Sequence, residues 1–318
     1  MHNLNEKQTR KKLIDPLLVA EGWKIVQYKD TKELSKYNKC AIEEYPTANG
    51  PADYALCVDG KILGIIEAKK ITLGPQNVLK QAERYSKGFS DSGFNFDGFG
   101  VPFLYSTNGT EIWYHDVRHP LNISRKISGF HRAEALNEAL KFDFDEVAAK
   151  FFGIPDNQYM RPYQCQACDA VGKAIVNRKR TMMLAMATGT GKTFTVVNLI
   201  YRLMKAGVAK RVLFLVDRRA LAAQAVRAFA SFETEQGLKF DKTYEVYSQR
   251  FQKGDLDENE SFDANLIPES YLTNPKPEHS FVYVSTIQRT TINLFGRSSV
   301  LPGCEGTETK MQDNWICP

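Results

Sequence analysis

The spacing of apolar residues changes near the middle of the chain. Up to about residue 152, short apolar runs alternate with turns rich in Asp, Asn and Gly, a pattern typical of short strands joined in hairpins. From about residue 158, helical apolar faces alternate with short apolar runs, which predicts parallel strands joined by crossover helices. The segment 152–157 fits neither pattern. We therefore predict two α/β domains, at residues 1–152 and 158–318.

Several elements are predicted in the first half. In chain order they are a helical stretch from residue 1 to about 28 whose helix ends at Glu21-Gly22, a polar, turn-rich stretch at 30–50, strands at 53–58 and 62–68, a helix at 76–87, strands at 101–106 and 111–114, and an amphipathic helix at 132–151. The Asp59-Gly60 dipeptide between the first two strands is typical of a β-hairpin turn.

The length of that turn decides which face of the hairpin Asp53 occupies. With a two-residue loop, Asp53 would pair with Ile66 and point away from the face of Glu67. With a three-residue loop, Asp53 would pair with Ile65 and share the face of Glu67. A bulge or bend near Asp53 would also bring the two acids to one face. A site that uses both acids requires the three-residue loop, or such a bulge or bend near Asp53.

The second half has the rhythm of a parallel sheet. Its predicted elements are a helix at 164–178, a strand at 181–186, a Gly-rich loop, a helix at 192–206, a strand at 211–216, a helix at 219–231 and a strand at 281–285. The stretch 251–280 is rich in Asp, Glu, Asn, Pro and Ser, and we interpret it as an insertion or mobile loop.

Composition narrows the class of protein only moderately. The net charge of +5 is compatible with nucleic-acid binding but does not require it. No apolar run approaches the roughly 20 residues that span a bilayer, and the polar N-terminus lacks the apolar segment of a signal peptide. We expect a cytoplasmic protein without membrane contact. Cys165 and Cys168 lack the second ligand pair of a zinc site and are interpreted as two buried or half-buried thiols.

A glycine-rich loop carries the clearest chemistry in the second half. Gly189 and Gly191 lack side chains that would keep phosphate oxygens from the backbone N–H groups. Lys192 can reach the β- and γ-phosphates of ATP, and the hydroxyl of Thr193 can ligate Mg²⁺. Met186 stands where such loops usually have their first glycine. The predicted nucleotide-binding residues are Gln164, Thr188, Gly189, Thr190, Gly191, Lys192 and Thr193.

Two acids and a lysine carry the chemistry of the first half. Glu67 lies fourteen residues after Asp53, and Lys69 follows Glu67 at the spacing of one strand face. Two carboxylates can hold Mg²⁺, and a lysine can stabilise the charge of a phosphate or an attacking hydroxide. Charges on the solvated face of an edge strand are the simpler interpretation of each residue alone. The apolar run that precedes Glu67 favours a catalytic role, with Asp53 and Glu67 as metal ligands.

The second half resembles the first RecA-like domain of superfamily 2 helicases and translocases. The resemblance rests on the loop Ala187-Thr188-Gly189-Thr190-Gly191-Lys192-Thr193, on Arg161-Pro162-Tyr163-Gln164 and on two segments that follow predicted strands. It implies that Gln164 reads the adenine edge. It also implies that Arg218, Arg219 and Thr286, which belong to the segments after those strands, contact DNA.

The first half resembles the PD-(D/E)xK nuclease fold. Across nearly its whole length the chain is similar to the restriction, or motor, subunit of type I restriction-modification enzymes. The resemblance rests on Asp53, Glu67-Ala68-Lys69, a Gln81-x-x-x-Tyr85 element and the helix that begins near Glu6-x-x-Thr9-Arg10. It implies a nuclease triad of Asp53, Glu67 and Lys69, DNA contacts by Gln81 and Tyr85, and Glu6 as a further acid beside the metal.

The resemblance also implies the setting in which the chain works. Double-stranded DNA would be the substrate, Mg²⁺ and ATP the cofactors, and a methyltransferase subunit and a specificity subunit the partners. No acidic pair at a strand end follows Thr193, so we predict a truncated motor that binds ATP without hydrolysing it. Two alternatives remain: an ATP-binding, DNA-binding module of a type III restriction or repair system, and an inactive truncated remnant.

Overall fold

The computed structural model describes residues 4–30, 33–69, 79–89, 93–234, 237–248, 265–273, 276 and 278–295. These residues form two compact units, of which the first extends to Phe142 and the second begins at Asp143. None of the described helices is long and apolar enough to cross a membrane.

The first unit is built on a seven-stranded sheet in sequential order. The strands are β1 (Lys24–Gln27), β2 (Cys40–Tyr45), β3 (Ala52–Val58), β4 (Lys61–Ala68), β5 (Phe103–Thr107), β6 (Ile112–Asp116) and β7 (Arg125–Ile127). The pairs β1–β2 and β4–β5 are parallel, and the other neighbours are antiparallel. The sheet is therefore mixed.

Helices cover the central strands of this sheet. They are α1 (Glu6–Thr9), a π-helical turn (Arg10–Ile14), α2 (Asp15–Ala20), α3 (Leu79–Lys87) and α4 (Ala133–Lys141). One apolar cluster joins Ile14 and Leu18 to alternate residues of β3 and β4, and a second cluster joins Ala82 and Tyr85 of α3 to the residues between them. Both faces of β3 and β4 are thus buried, which explains why these strands are apolar almost throughout.

The second unit contains a three-stranded parallel sheet with flanking helices. Its elements are α5 (Phe144–Gly153), α6 (Pro162–Val176), α7 (Lys192–Ala206), β8 (Arg211–Val216), α8 (Arg219–Ser231), α9 (Phe240–Thr243), β9 (Glu245–Ser248), α10 (Glu269–Thr273), β10 (Phe281–Thr286) and α11 (Ile287–Phe295). The strand order is β8-β10-β9. Cys168 is buried, Cys165 is half-buried, and both are free thiols, as predicted.

Four predicted elements are wrong within the described residues. Residues 24–27, inside the helical stretch predicted to reach about residue 28, form β1. The segment 181–186 is not a strand: no described strand pairs with it, and Met183 remains 90% exposed. The stretch at 30–50, predicted to be turn-rich, contains strand β2, which is stabilised by hydrogen bonds to both β1 and β3. The helix predicted at 132–151 is broken, because Asp143 caps a new helix by accepting hydrogen bonds from the N–H groups of Asp145 and Glu146.

Candidate functional site

A bulge in the β3–β4 hairpin places Asp53 and Glu67 on one face. The turn has two residues, Asp59 and Gly60, both with positive φ, and Val58 pairs with Lys61. This turn alone would point Asp53 away from Glu67. The register then shifts between Leu56 and Cys57, so that Tyr54 pairs with Ile66. Of the registers left open by the sequence, the structure has the two-residue turn with a bulge.

Three carboxylates and a lysine converge at the ends of these strands. Oxygen atoms of Glu6, Asp53 and Glu67 all lie within 4.8 Å of one another. One Asp53 oxygen, Oδ2, accepts a hydrogen bond from the Ala68 N–H at 2.7 Å. The Lys69 ammonium donates to Glu67 Oε1 at 2.6 Å and lies 3.9 Å from Glu6 Oε1. Oxygen-rich clusters of this kind suit a hard divalent cation.

Burial and neighbouring charges perturb the pKa values of both acids. Glu67 is 2% exposed. Its burial, together with the nearby Asp53 carboxylate, raises the pKa of Glu67 to about 7, although Lys69 opposes the shift. Burial also raises the pKa of Asp53, against the opposing effects of the Ala68 N–H and the Arg10 guanidinium. A buried acid whose pKa is raised by a neighbouring carboxylate is typical of metal-binding sites.

No role was predicted for the basic residues beside these acids. Arg10 is buried and contacts Asp53, Glu43 and Glu44. The Lys11 ammonium lies 2.6 Å from Glu43 Oε1. The detectable signal was the spacing of four residues between Glu6 and Arg10, which places two charged side chains on one side of a helix.

Gln81 and Tyr85 lie on the helix that packs against the strands of the acid cluster. They are one turn apart on α3, and the Gln81 amide donates to the Tyr85 hydroxyl at 3.0 Å. The helix packs against β4, which carries Glu67, and against β5. Tyr85 is 7% exposed. The two residues predicted to contact DNA are thus brought together and share the sheet face of Glu67.

The predicted nucleotide loop precedes α7. Gly189 and Gly191 both have positive φ, near +79° and +78°, a backbone conformation that favours glycine. Gly191 is the residue before the first turn of α7, so the helix N-terminus faces the loop. The ammonium of Lys192 lies 3.1 Å from the Met186 carbonyl oxygen and 3.3 Å from that of Ala187. Thr188 is exposed, and Thr193 is half-buried.

Gln164 holds this loop from the neighbouring helix. It is 3% exposed, and its amide donates to the Thr190 carbonyl at 2.9 Å. Its side-chain oxygen accepts from the Arg161 N–H at 2.8 Å. The Tyr163 hydroxyl also donates to the Thr190 carbonyl, at 3.0 Å. The amide that was predicted to read adenine is thus hydrogen-bonded to the protein.

The residues predicted to contact DNA in the second unit differ in exposure. Arg218 and Arg219 are exposed at the start of α8, and 81% of the Arg218 side chain is accessible. Thr286 ends β10 and is 5% exposed, with its hydroxyl accepting from the Arg289 N–H at 3.3 Å. The two arginines are therefore accessible to a binding partner, whereas the Thr286 side chain caps the first turn of α11.

Family models match both halves of the chain. Residues 157–314 match the model described as type III restriction enzyme, res subunit. Residues 23–140 match the model described as type I restriction enzyme EcoKI endonuclease subunit second domain.

Individual proteins are similar over most of the chain. The type I restriction enzyme EcoKI endonuclease subunit of Escherichia coli (strain K12) is 36% identical over 279 residues, covering 71% of this chain and 24% of that protein. The EcoAI endonuclease subunit of Escherichia coli is 25% identical over 284 residues, covering 79% of this chain and 32% of that protein. The chain thus spans about a quarter to a third of the curated relatives it matches. A solved fragment of a putative HsdR subunit of a type I restriction enzyme from Vibrio vulnificus aligns with 92% of this chain and 49% of that chain, at 19% identity and a TM-score of 0.33.

Proposed function

We infer the function of this chain from its sequence similarity to known proteins. It is a relative of the endonuclease subunits of type I restriction enzymes, and its second half contains a helicase-like domain. We propose that it supplies the DNA-cleaving site and part of the ATP-driven motor of such an enzyme. Double-stranded DNA would be its substrate, and a methyltransferase subunit and a specificity subunit its partners. A match to the type I domain in the first half favours this system over a type III or repair enzyme.

The acid cluster of the first unit would perform the cleavage. A Mg²⁺ ion held there would polarise a phosphodiester and lower the pKa of its bound water. Asp53 and Glu67 would hold the ion through one oxygen each, and Glu6 would contribute directly or through water. Lys69, which is close to Glu67, would stabilise negative charge on the phosphate or on the attacking hydroxide. This assignment corresponds to a PD-(D/E)xK nuclease.

DNA would approach this cluster along α3. Gln81 and Tyr85 offer an amide and a hydroxyl that already bond to each other, and both groups can turn to phosphate oxygens. In the second unit, the exposed Arg218 and Arg219 would contact the DNA backbone, and Thr286 would support that surface. These contacts would position the substrate without reading its sequence, because they address phosphates and not base edges.

The loop before α7 would bind ATP. The open space around Gly189 leaves room for phosphate oxygens, and the N-terminus of α7 favours negative charge. Lys192 would exchange the Met186 and Ala187 carbonyls for the β- and γ-phosphates, while Thr193 would ligate the Mg²⁺ of the nucleotide. Thr188 and Thr190 would flank the phosphates. Gln164 would reach adenine only if it released the Thr190 carbonyl, so we assign it first to holding the loop.

The single observation that supports the nuclease most is the convergence of Asp53, Glu67 and Lys69 through the bulge of β4. Plasmid nicking tests it. The purified chain should nick supercoiled DNA in Mg²⁺ or Mn²⁺ but not in EDTA, and Glu67→Ala and Lys69→Met should abolish nicking. No nicking by the wild-type chain with either cation, or full nicking by Glu67→Ala, would contradict the proposal.

A matched control separates catalysis from the loss of an ion pair. Glu111 and Lys126 form another carboxylate–lysine pair on the same sheet, with their charged atoms 3.1 Å apart and both side chains 43% exposed. We expect Glu111→Ala to nick DNA at the wild-type rate, because exposed ion pairs contribute little to stability.

A further inference from the structure

We propose that Arg10 is a positioning residue for the acid cluster: its guanidinium holds the Asp53 carboxylate in the orientation that faces Glu67 and Glu6. The inference rests on the proposed nuclease function. It adds a residue to which neither the family resemblance nor the comparisons assign a role.

Arg10 holds Asp53 at two points. Its Nη1 donates to Asp53 Oδ1 at 3.0 Å, and its Nη2 donates to the Asp53 main-chain carbonyl at 3.1 Å. The other carboxylate oxygen, Oδ2, accepts from the Ala68 N–H. Because both carboxylate oxygens and the main-chain carbonyl of Asp53 accept hydrogen bonds, the side chain cannot rotate without breaking at least one of them. Its remaining lone pairs stay directed at the cluster, where they can serve a cation.

The guanidinium itself is fixed by its surroundings. Arg10 lies 4.8 Å from the ring centroid of Tyr54 and also contacts Glu43 and Glu44. The Tyr54 hydroxyl in turn donates to Asp15 Oδ1 at 2.5 Å. Arg10 is 8% exposed, so its bonds are shielded from water and from salt.

The local helix geometry presents Arg10 to the strands. It begins a π-helical turn, Arg10–Ile14, between α1 and α2. Such turns are rare and occur often at functional sites, because the extra residue changes the direction of the side chains that precede it. Ile14 and Leu18 anchor this helix to one sheet face, while Arg10 and Glu6 reach the end of β3, where Asp53 lies.

Arginine is required for this role, and lysine would not replace it. Two donors of one planar group reach two acceptors of Asp53, whereas an ammonium is a point charge on a flexible chain. Lys11 provides a natural contrast: it shares Glu43 with Arg10, and it contacts Asp15, but none of its bonds in the described structure reaches Asp53. Replacing either residue by alanine removes one positive charge, but only the replacement of Arg10 removes the hydrogen bonds to Asp53.

Metal binding by the full chain tests the proposal. Calorimetric titration with Mn²⁺ alone would compare wild type, Arg10→Ala, Arg10→Lys and Lys11→Ala at one pH, after thermal melts have confirmed folding. We expect Arg10→Ala to weaken Mn²⁺ binding by about tenfold or more, Arg10→Lys by a smaller factor, and Lys11→Ala by no more than about twofold. If Arg10→Ala does not fold, the comparison of Arg10→Lys with Lys11→Ala decides.

The outcomes separate this inference from the nuclease proposal. Asp53→Ala is measured in parallel. If Asp53→Ala binds Mn²⁺ like wild type, the metal site itself is wrong. If Asp53→Ala loses binding but Arg10→Ala is no weaker than Lys11→Ala, the metal site stands and the role of Arg10 is overturned. Wild-type affinity in Arg10→Lys would also overturn it, because a two-point hold cannot survive the loss of the guanidinium.

Discussion

Glu67→Gln should make the metal-free protein more stable at alkaline pH while removing a metal ligand. The Glu67 carboxyl is 2% exposed, and burial together with Asp53 raises its pKa from 4.5 to about 7. The folded state therefore prefers the protonated acid, whereas the unfolded chain ionises near 4.5. Stability from this group is fully present below the unfolded pKa and is lost as pH rises through about 7.

The magnitude follows from the shift. A difference of about 2.5 pKa units, at 1.36 kcal/mol per unit, corresponds to about 3 kcal/mol of lost stability well above pH 7. Most of this loss, about 2–3 kcal/mol, develops between pH 5 and pH 8. Glutamine has no charge to lose, so the stability of the variant relative to wild type should rise by that amount over the same interval. The side-chain oxygen of glutamine can still accept from Lys69, and the attraction between Lys69 and the ionised carboxylate is already included in the raised pKa of Glu67.

Urea unfolding in EDTA at pH 5, 6, 7 and 8 measures this trend. Trp23 and Trp113 both lie in the first unit, so their fluorescence reports its unfolding when Trp315, which lies outside the described residues, is replaced by Phe. Glu111→Gln is the control and should show no comparable trend. If Glu67→Gln gains no stability over wild type between pH 5 and pH 8, the buried, repelled state of Glu67 is refuted.

Two glycine substitutions test the geometry of each unit against controls with the same backbone angle. Gly191→Ala should abolish binding of a fluorescent ATP analogue, because the new Cβ would lie 2.6 Å from the Gln164 amide that holds the loop. The control Gly207→Ala, at the other end of α7 with open space around it, should retain binding. Equal affinities of the two variants would contradict this prediction. Gly109→Ala should destabilise the first unit by about 1–3 kcal/mol more than Gly98→Ala, since both have φ of +84° but only Gly109 would meet Leu13, at 2.5 Å. Equal urea midpoints for the two variants would show that the turn is not packed against the N-terminal helix.

The sequence alone predicted the chemistry of the acid cluster but not its register. The Asp59-Gly60 turn is readable from its residues, because few dipeptides accept two positive φ angles. The bulge is not, because residues 62, 63, 65 and 66 are all apolar and both faces of β4 are buried. An apolar run without alternation carries no information about which residue points to which face.

Long-range pairing limited the other predictions. The run 181–186 is apolar enough for a strand, yet a strand forms only where a neighbour accepts its hydrogen bonds, and no described strand pairs with it. The contact of Arg10 with Asp53 joins positions 43 residues apart. Neither residue's local pattern indicates the other. The glycine-rich loop at the start of α7, in contrast, was predictable because its glycines, its lysine and the first turn of the helix are contiguous in the chain.

Crystals of the chain soaked in Mn²⁺ test the central claim most directly. We predict an anomalous peak about 2–2.5 Å from carboxylate oxygens of both Asp53 and Glu67, and its loss in crystals of Glu67→Gln. An Mn²⁺ ion that binds elsewhere and leaves these two acids without a cation, or a peak that persists unchanged in Glu67→Gln, would contradict the assignment of this cluster as the metal site of a nuclease.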